Sequence, residues 1–143
     1  MAREINERSG SLLQIESIAR KLKLEGYLNR DFNVNFSGGE IRRVEIFLTY
    51  LQRPKFVVFD EIDSGVDVDS IKIISFAINE MIKDFLDGAI IISHLGEIFE
   101  YVNTARAYVI MNGRIVYEGK TEEILSRIKK YGFGVFKDED QNI

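Results

Sequence analysis

The stretch Phe36-Ser37-Gly38-Gly39-Glu40 stands where a helix is predicted to begin, and that helix must stop near Pro54. Apolar residues follow it at helical spacing, namely Ile41, Val44, Phe47, Leu48 and Leu51. Free backbone N–H groups and the positive end of the helix dipole favour a phosphate at such a position, and glycine lets the anion approach closely. The alternative is that Gly38-Gly39 is only a loop before an N-cap, since such short motifs often occur by chance.

Two short apolar runs predict buried parallel strands. The first runs from Phe56 to Phe59 and ends at Asp60-Glu61, and the second runs from Ala89 to Ile92 and ends at Ser93-His94. Ligand sites of open α/β sheets collect at the carboxyl ends of strands. We therefore expect the acidic pair and the histidine to lie at the same kind of position.

The acidic pair has the chemistry of a phosphoryl-transfer site. Asp60 can hold Mg²⁺ through water, and Glu61 is placed to orient or deprotonate a water for attack on a phosphoryl group. The alternative is that these two residues only cap the end of the strand and begin a turn together with Asp63, Ser64 and Gly65.

His94 is the only histidine of the chain. At the end of a strand it can donate a hydrogen bond to a γ-phosphate, although a lone histidine is more often structural. A helix-start glycine pair, a strand-end Asp-Glu pair and a strand-end histidine, in this order, are improbable as three independent accidents. The combination favours the functional interpretation of all three.

The rest of the chain alternates between strands and helices, which indicates a parallel sheet and an α/β fold. A first helix is expected to end at Gly26, another helix to span 67–86, and a short helix to follow His94. Residues 1–11 are expected to form a polar tail and residues 29–36 a polar loop.

Near the carboxyl end, Asn112-Gly113 is a strong hairpin signal. It predicts two strands, one from Ala107 to Met111 and the other from Arg114 to Tyr117. A last helix is expected to start near Thr121, which can act as its N-cap.

Composition limits the class of protein. The 143 residues, with 45% hydrophobic content, suit one compact domain with a sizeable core. A net charge of −4 gives no general attraction to nucleic acid or to an anionic membrane. The absence of cysteine excludes a disulfide framework, and no stretch approaches the roughly 20 apolar residues that span a bilayer. No signal peptide is recognisable, so we expect a cytoplasmic protein without nucleic-acid partner or membrane insertion.

Taken together, these motifs resemble those of ABC ATPases. The stretch from Phe36 to Glu40 resembles the ABC signature motif, and Phe56 to Glu61 resembles the Walker B strand with its catalytic glutamate. Ser64 to Asp67 is similar to the D-loop, and His94 is similar to the switch histidine. The likeness runs from about Leu12 to the carboxyl end.

Within that superfamily, the sequence looks most like the Suf-system ATPase (SufC type) of iron–sulfur cluster assembly. Glu40 to Ile46, Asp60 to Asp69 and Tyr131 to Gly134 all resemble that group. Ile62-Asp63-Ser64 stands where transporter ATPases commonly have Pro-Thr-Ser or Pro-Thr-Ala. Asn35 departs from the glycine that is usual before the aromatic residue of the signature.

The resemblance implies a role for each motif residue. ATP and Mg²⁺ would be the cofactors, and the nucleotide-binding residues would be Ser37, Gly38, Gly39, Glu40 and Asp67. Across a head-to-tail dimer the signature would close over the γ-phosphate, and the D-loop aspartate would couple the two sites. Asp60 would support Mg²⁺, Glu61 would position the lytic water, and His94 would sense the γ-phosphate.

The implied fold is a partial P-loop NTPase, the carboxyl-terminal portion of an ABC nucleotide-binding domain. Residues 12–54 would be the remnant of the helical subdomain with the signature, and residues 55–143 would be half of the catalytic core. The expected cellular partner is a SufB/SufD-like scaffold, which hydrolysis would remodel.

One motif of the family is missing. Nothing before Ser37 matches G-x-x-x-x-G-K-[ST], the P-loop that cradles ATP phosphates. Gly119-Lys120-Thr121 is similar to the end of that motif, but it follows the Walker B strand, and a hairpin followed by a helix is expected there. The missing P-loop predicts a partner that supplies it, a P-loop-containing half or second ABC subunit, unless the chain is a truncated piece or a swapped homo-oligomer. It also predicts little or no ATPase activity of the chain alone.

Other functions stay open. An ABC transporter subunit would carry the same motifs, as would the carboxyl lobe of an SMC-like DNA-repair ATPase, although residues 1–28 lack a sustained heptad repeat. A non-catalytic interaction module could keep the fold without hydrolysis, but it would have no need of Glu61 and His94.

Overall fold

The computed structural model describes residues 12–27 and 36–137 of the chain. They form two compact units, one ending at Val102 and the other starting at Asn103. The expected tail at 1–11 and nearly all of the expected polar loop at 29–36 lie outside the described residues. The division near residue 54 that the sequence suggests stays a prediction.

The first unit alternates helices and strands, which confirms the α/β fold predicted from the sequence. In chain order its elements are α1 (Leu12–Lys21), α2 (Gly38–Gln52), β1 (Phe56–Asp60), α3 (Val68–Asp84), β2 (Gly88–Ile92) and a 3₁₀ helix (Glu97–Glu100). Helix α1 ends before Gly26, where the sequence placed its end. The short helix expected after His94 is a single 3₁₀ turn.

Strands β1 and β2 pair in parallel, as predicted. Their register runs from Phe56 opposite Gly88 to Asp60 opposite Ile92. The ladder continues one step beyond β1, because the Glu61 N–H donates to the Ile92 carbonyl at 3.0 Å. The segments that follow the two strands therefore leave the sheet at the same edge.

One face of this sheet packs against the helices. Phe59 is buried on it, together with four α3 side chains, Ile71, Ile74, Ile78 and Met81. Helix α2 adds Val44, Ile46, Phe47 and Leu51 to the same core, and α1 adds Ile18 and Ala19. The core explains why the apolar residues of each helix recur every three or four positions.

The other face of the sheet corrects an expectation. Both strands were predicted to be buried, yet the side chains of Phe56, Val58, Ile90 and Ile92 are 44% to 57% exposed. They alternate with the buried side chains because successive residues of a strand point to opposite faces. The helices of the first unit pack on the face that carries Val57, Phe59 and Ile91, so no helix among the described residues of this unit covers these four.

The second unit is a hairpin followed by a helix, as predicted. Its elements are β3 (Ala107–Met111), β4 (Arg114–Gly119), α4 (Thr121–Tyr131) and a 3₁₀ helix (Phe133–Phe136). The turn residues Asn112 and Gly113 have φ of 51° and 75°, which a two-residue hairpin turn requires. Its core consists of Val109, Val116, Ile124 and Phe136.

The expected N-cap of the last helix was wrong by one residue. Lys120 occupies the cap position of α4, and Thr121 is the first helical residue. The Thr121 side chain is buried, and its hydroxyl shares a hydrogen bond with that of Thr104. This polar contact holds the threonine inward, away from the free N–H groups of the helix. Gly119-Lys120-Thr121 thus connects the second strand of an antiparallel hairpin to α4, which is the hairpin followed by a helix that the sequence predicts.

Among residues 12–27 and 36–137, none of the helices has the length and apolar character that crossing a bilayer requires. The cytoplasmic location expected from the sequence stays a prediction.

Replacement of a core isoleucine tests the position of α3. We expect Ile74→Val to lower the free energy of unfolding by about 1 kcal/mol. Ile74 is fully enclosed, so its neighbours cannot fill the cavity that the removed methyl group leaves. Ile82 lies on the same helix but is 39% exposed, so Ile82→Val is the matched control and should change stability much less. Urea unfolding of the two variants measures both values. Equal losses would contradict the described core.

Candidate functional site

The signature-like stretch forms the amino-terminal turn of α2. Ser37 is the N-cap, and its Oγ accepts a hydrogen bond from the Glu40 N–H at 3.3 Å. In return, the Glu40 carboxylate accepts from the Ser37 N–H at 2.7 Å. This reciprocal pair is a capping box, and it fixes the backbone on both sides of Gly38 and Gly39.

Tyr27 supports this turn from outside the motif. Its hydroxyl donates to the second oxygen of the Glu40 carboxylate, and its ring packs edge-on against Phe36 with centroids 5.1 Å apart. The hydrogen bond from Tyr27 is the largest cause of a lowered pKa at Glu40, and the Ser37 backbone N–H is the next. The capping glutamate is thus held in its charged form, which suits the positive end of a helix.

The two glycines make close approaches to the start of α3. A Cβ atom on Gly38 would lie 3.1 Å from the Gly65 carbonyl oxygen. A Cβ atom on Gly39 would lie 2.6 Å from the Ser70 Oγ and 3.0 Å from an Asp67 carboxylate oxygen. A side chain at Gly39 would therefore force Ser70 to move, whereas one at Gly38 would require a shift of only a few tenths of an ångström at the Gly65 carbonyl.

Asp67 is the N-cap of α3. Its carboxylate accepts from the Ser70 N–H at 2.9 Å, and hydrogen bonds from Ser70 are the main cause of a lowered pKa at Asp67. The structure thus brings Asp67 against the signature-like turn, although the two motifs are well separated along the chain. Sequence spacing alone does not predict that contact.

Glu61 and His94 form a second cluster. The His94 Nε2 lies 2.9 Å from the Glu61 Oε1, and the two side chains are 80% and 45% exposed respectively. The pair follows from the parallel register of β1 and β2, which places both segments at one edge of the sheet. Glu61 has a φ of 49°, a left-handed conformation that is uncommon outside glycine.

Asp60 is the last residue of β1, and its side chain is exposed at this same edge. Within the part of the chain that the structure describes, no three His, Cys, Asp or Glu side chains converge to hold a metal. Phosphoryl-transfer sites, however, bind Mg²⁺ through one or two carboxylates together with substrate phosphates. An exposed strand-end carboxylate such as Asp60 fits that mode.

Asp63 is a residue whose place the sequence did not predict. It was expected only as part of a turn, but it is 5% exposed and accepts a 2.6 Å hydrogen bond from the Ser93 hydroxyl. Tyr27 was missed as well. The contacts Asp63–Ser93 and Tyr27–Glu40 each join separate segments of the chain. The only signal in the sequence that could have pointed to Asp63 was its acidic side chain close to Glu61.

No family model matches the chain. It is 41% identical over 116 residues to a probable ABC transporter ATP-binding protein of Streptococcus pyogenes serotype M3, which covers 80% of this chain and 44% of the relative. It is 33% identical over 122 residues to the probable ATP-dependent transporter SufC of Escherichia coli, which covers 85% of this chain and 48% of that protein. The chain spans less than half the length of these relatives.

The chain is also similar to solved structures of ATP-binding cassettes. The chain matches a nucleotide-free ATP-binding cassette from an ABC transporter with a TM-score of 0.65 and 28% identity, over 81% of this chain and 45% of that one. A second ATP-binding cassette of an ABC transporter matches with a TM-score of 0.67 and 27% identity, over 87% and 48%.

Substitution of Gly39 tests the close approach to α3. Glycine to alanine inside a helix normally adds about 1 kcal/mol of stability. For Gly39→Ala we expect the opposite, a loss of about 1–3 kcal/mol, because the new methyl group would overlap Ser70. Gly26→Ala is the control, since nothing lies within 4 Å of a Cβ atom there. Urea unfolding measures both, and a stabilising Gly39→Ala would contradict the contact.

The hydrogen bond from Tyr27 predicts a pH-dependent effect of Tyr27→Phe. Because the pKa of Glu40 is lowered in the folded protein, the bond stabilises the fold above the ordinary value of 4.5 and is lost as the pH falls through the lowered pKa. We expect Tyr27→Phe to reduce stability by less than about 1 kcal/mol at pH 7, since solvent screens the pair. The difference in stability between the unaltered chain and Tyr27→Phe should disappear below the lowered pKa of Glu40.

Chemical unfolding from pH 7 to pH 3 measures this difference. Tyr131→Phe is the control, because Tyr131 is 60% exposed and lies in the other unit. A stability difference at Tyr27 that is independent of pH would argue against the bond to the Glu40 carboxylate.

Proposed function

Since the chain is homologous to ABC-type ATP-binding proteins and shares the fold of their nucleotide-binding domains, we propose that it supplies the signature and Walker B part of an ABC ATPase. The observation that carries this proposal is the 2.9 Å contact between Glu61 and His94 at the adjoining ends of two parallel strands. A carboxylate and an imidazole at such an edge can hold a water and a γ-phosphate side by side.

In this proposal Glu61 orients the attacking water and accepts its proton. His94 lies beside Glu61, with its Nε2 2.9 Å from the Glu61 Oε1, and donates a hydrogen bond to the γ-phosphate when that N–H turns from the carboxylate to the bound nucleotide. Asp60 would hold Mg²⁺, which supplies positive charge next to the phosphates when bound. The side chains of Glu61 and His94 are open to solvent, which suits groups that bind a ligand held by another segment or chain.

The signature-like turn acts on a second nucleotide. The Ser37 hydroxyl and the N–H groups of Gly38 and Gly39 belong to the first turn of a helix, where a phosphate is favoured. Glu40 keeps the turn in shape through the capping box, and Asp67 lies against it. A change at one nucleotide could thus pass through Asp67 to the other site.

A P-loop-containing half or second ABC subunit is the proposed partner. Two observations support it: the chain spans less than half of its relatives, and one face of the β1–β2 sheet exposes Phe56, Val58, Ile90 and Ile92. An apolar face of this kind is stable when another element covers it. A swapped homo-oligomer would cover the same face.

The cellular role that we propose is Suf-type iron–sulfur cluster assembly on a SufB/SufD-like scaffold. Its support is the likeness of Asp60 to Asp69 to that group and the 33% identity to SufC of Escherichia coli. The second candidate is an ABC transporter subunit, because the Streptococcus pyogenes relative carries that name at 41% identity.

A complementation experiment tests the proposal. We expect the chain alone to bind Mg-ATP weakly, and a mixture with the P-loop-containing half of a Suf-type ATPase to bind and hydrolyse it. Glu61→Gln should retain binding in the mixture and reduce turnover at least about a hundredfold, since it removes the base. Glu122→Gln, on α4, is the matched control and should keep full turnover. Calorimetry and phosphate release measure the two quantities.

Tight Mg-ATP binding by the chain alone would contradict the proposed division of labour. Unchanged turnover in Glu61→Gln would show that Glu61 is not the residue that orients and deprotonates the attacking water. Stimulation of the mixture by a SufB/SufD scaffold would support the Suf assignment, whereas stimulation only by a transporter's membrane subunits would support the second candidate.

A further inference from the structure

Asp63 is a buried carboxylate behind the exposed Glu61–His94 pair. It lies two residues after Glu61, and its side chain faces the segment that follows β2. Its Oδ2 accepts a hydrogen bond from the Ser93 Oγ at 2.6 Å and one from the Ile98 N–H at 3.4 Å. One carboxylate oxygen therefore joins the segment that carries Glu61 to the segment that carries His94.

Ser93 extends this connection around His94. Its hydroxyl donates to Asp63 and, at the same time, accepts from the Gly96 N–H at 2.8 Å. Residues 93–96 are thus closed into a tight turn, and Gly96 adopts a φ of 74° within it. His94 projects from a turn whose base is fixed, although its own side chain is largely exposed.

A carboxylate is a costly choice for this position if its only task is to satisfy buried donors. Burial of a charge is unfavourable, and within the described residues no basic side chain forms an ion pair with Asp63. In exchange, hydrogen bonds to a charged acceptor are shorter and stronger than neutral ones. The strong hydrogen bonds of Asp63 therefore give a rigid connection between the segment after β1 and the segment after β2, although an uncharged side chain would cost less to bury.

We propose that Asp63, acting through Ser93, is a positioning residue that holds His94 at the correct place beside Glu61. The proposal rests on the proposed function for its effect on catalysis, but the link itself can be measured without ATP. Asp63 contacts neither nucleotide nor water in this role. It sets the geometry of two groups that do.

The single histidine provides a direct probe of this link, because its ring signals in a ¹H–¹³C correlation spectrum belong to one residue. We expect Ser93→Ala and Asp63→Ala to move the His94 ring signal toward that of free histidine. Ser93→Thr keeps a hydroxyl and should leave the signal in place. Asp69→Ala is the control for loss of a carboxylate, since Asp69 is exposed on α3. Far-UV circular dichroism checks that each variant is folded.

If Asp63→Ala does not fold, the comparison of Ser93→Ala with Ser93→Thr decides. An unchanged His94 signal in folded Ser93→Ala would overturn the proposal. In the complemented mixture, Ser93→Ala and Asp63→Ala should lower kcat about ten- to a hundredfold with KM within about twofold, as misplacement of catalytic groups does. Unchanged kcat would also overturn it. A mixture in which even the unaltered chain fails to hydrolyse ATP refutes the proposed function, while the ring signal still decides on the link.

Discussion

The parallel pairing of β1 with β2 is the constraint on which both the core and the candidate site depend. In a parallel pair the strands run in the same direction, so their carboxyl ends lie at one edge. The register places Asp60 level with Ile92, and the Glu61 N–H adds one more bond to the ladder. A shift of one residue would turn Phe59 away from the helices and would separate Glu61 from His94.

The end of β1 carries a local strain. Glu61 adopts a left-handed backbone conformation, which costs a non-glycine residue roughly 1 kcal/mol. The ladder bond to Ile92 on one side and the bond from the Ser64 N–H to the Glu61 carbonyl at 3.1 Å on the other hold it there. The conformation also turns the chain so that Glu61 is exposed while Asp63, two residues later, is buried. Strain of this kind persists where the surrounding structure over-determines it.

Local signals in the sequence were sufficient for most of the fold, whereas contacts between distant segments were not. Asn112-Gly113 and the apolar spacing of α2 and α3 depend on neighbouring residues, and the structure has these elements where the pattern predicts them. The uncovered sheet face, the buried Asp63 and the support from Tyr27 depend on which segments meet in space. An apolar run looks the same in sequence whether one face of the strand or both are covered.

The start of α2 shows why glycine is suited to an anion here. The first N–H groups of a helix lack partners within it. The Glu40 N–H is engaged by the Ser37 side chain, and the Ser37 N–H by the Glu40 carboxylate, so Gly38 and Gly39 carry the N–H groups that the capping box leaves over. Because the Ser37 oxygen acts as an acceptor in the box, its own O–H stays available as a donor. One helix start thus carries three donors that the capping box does not use, and the charged Glu40 that shapes the turn is itself restrained by Tyr27 through the carboxylate oxygen that Ser37 does not bind.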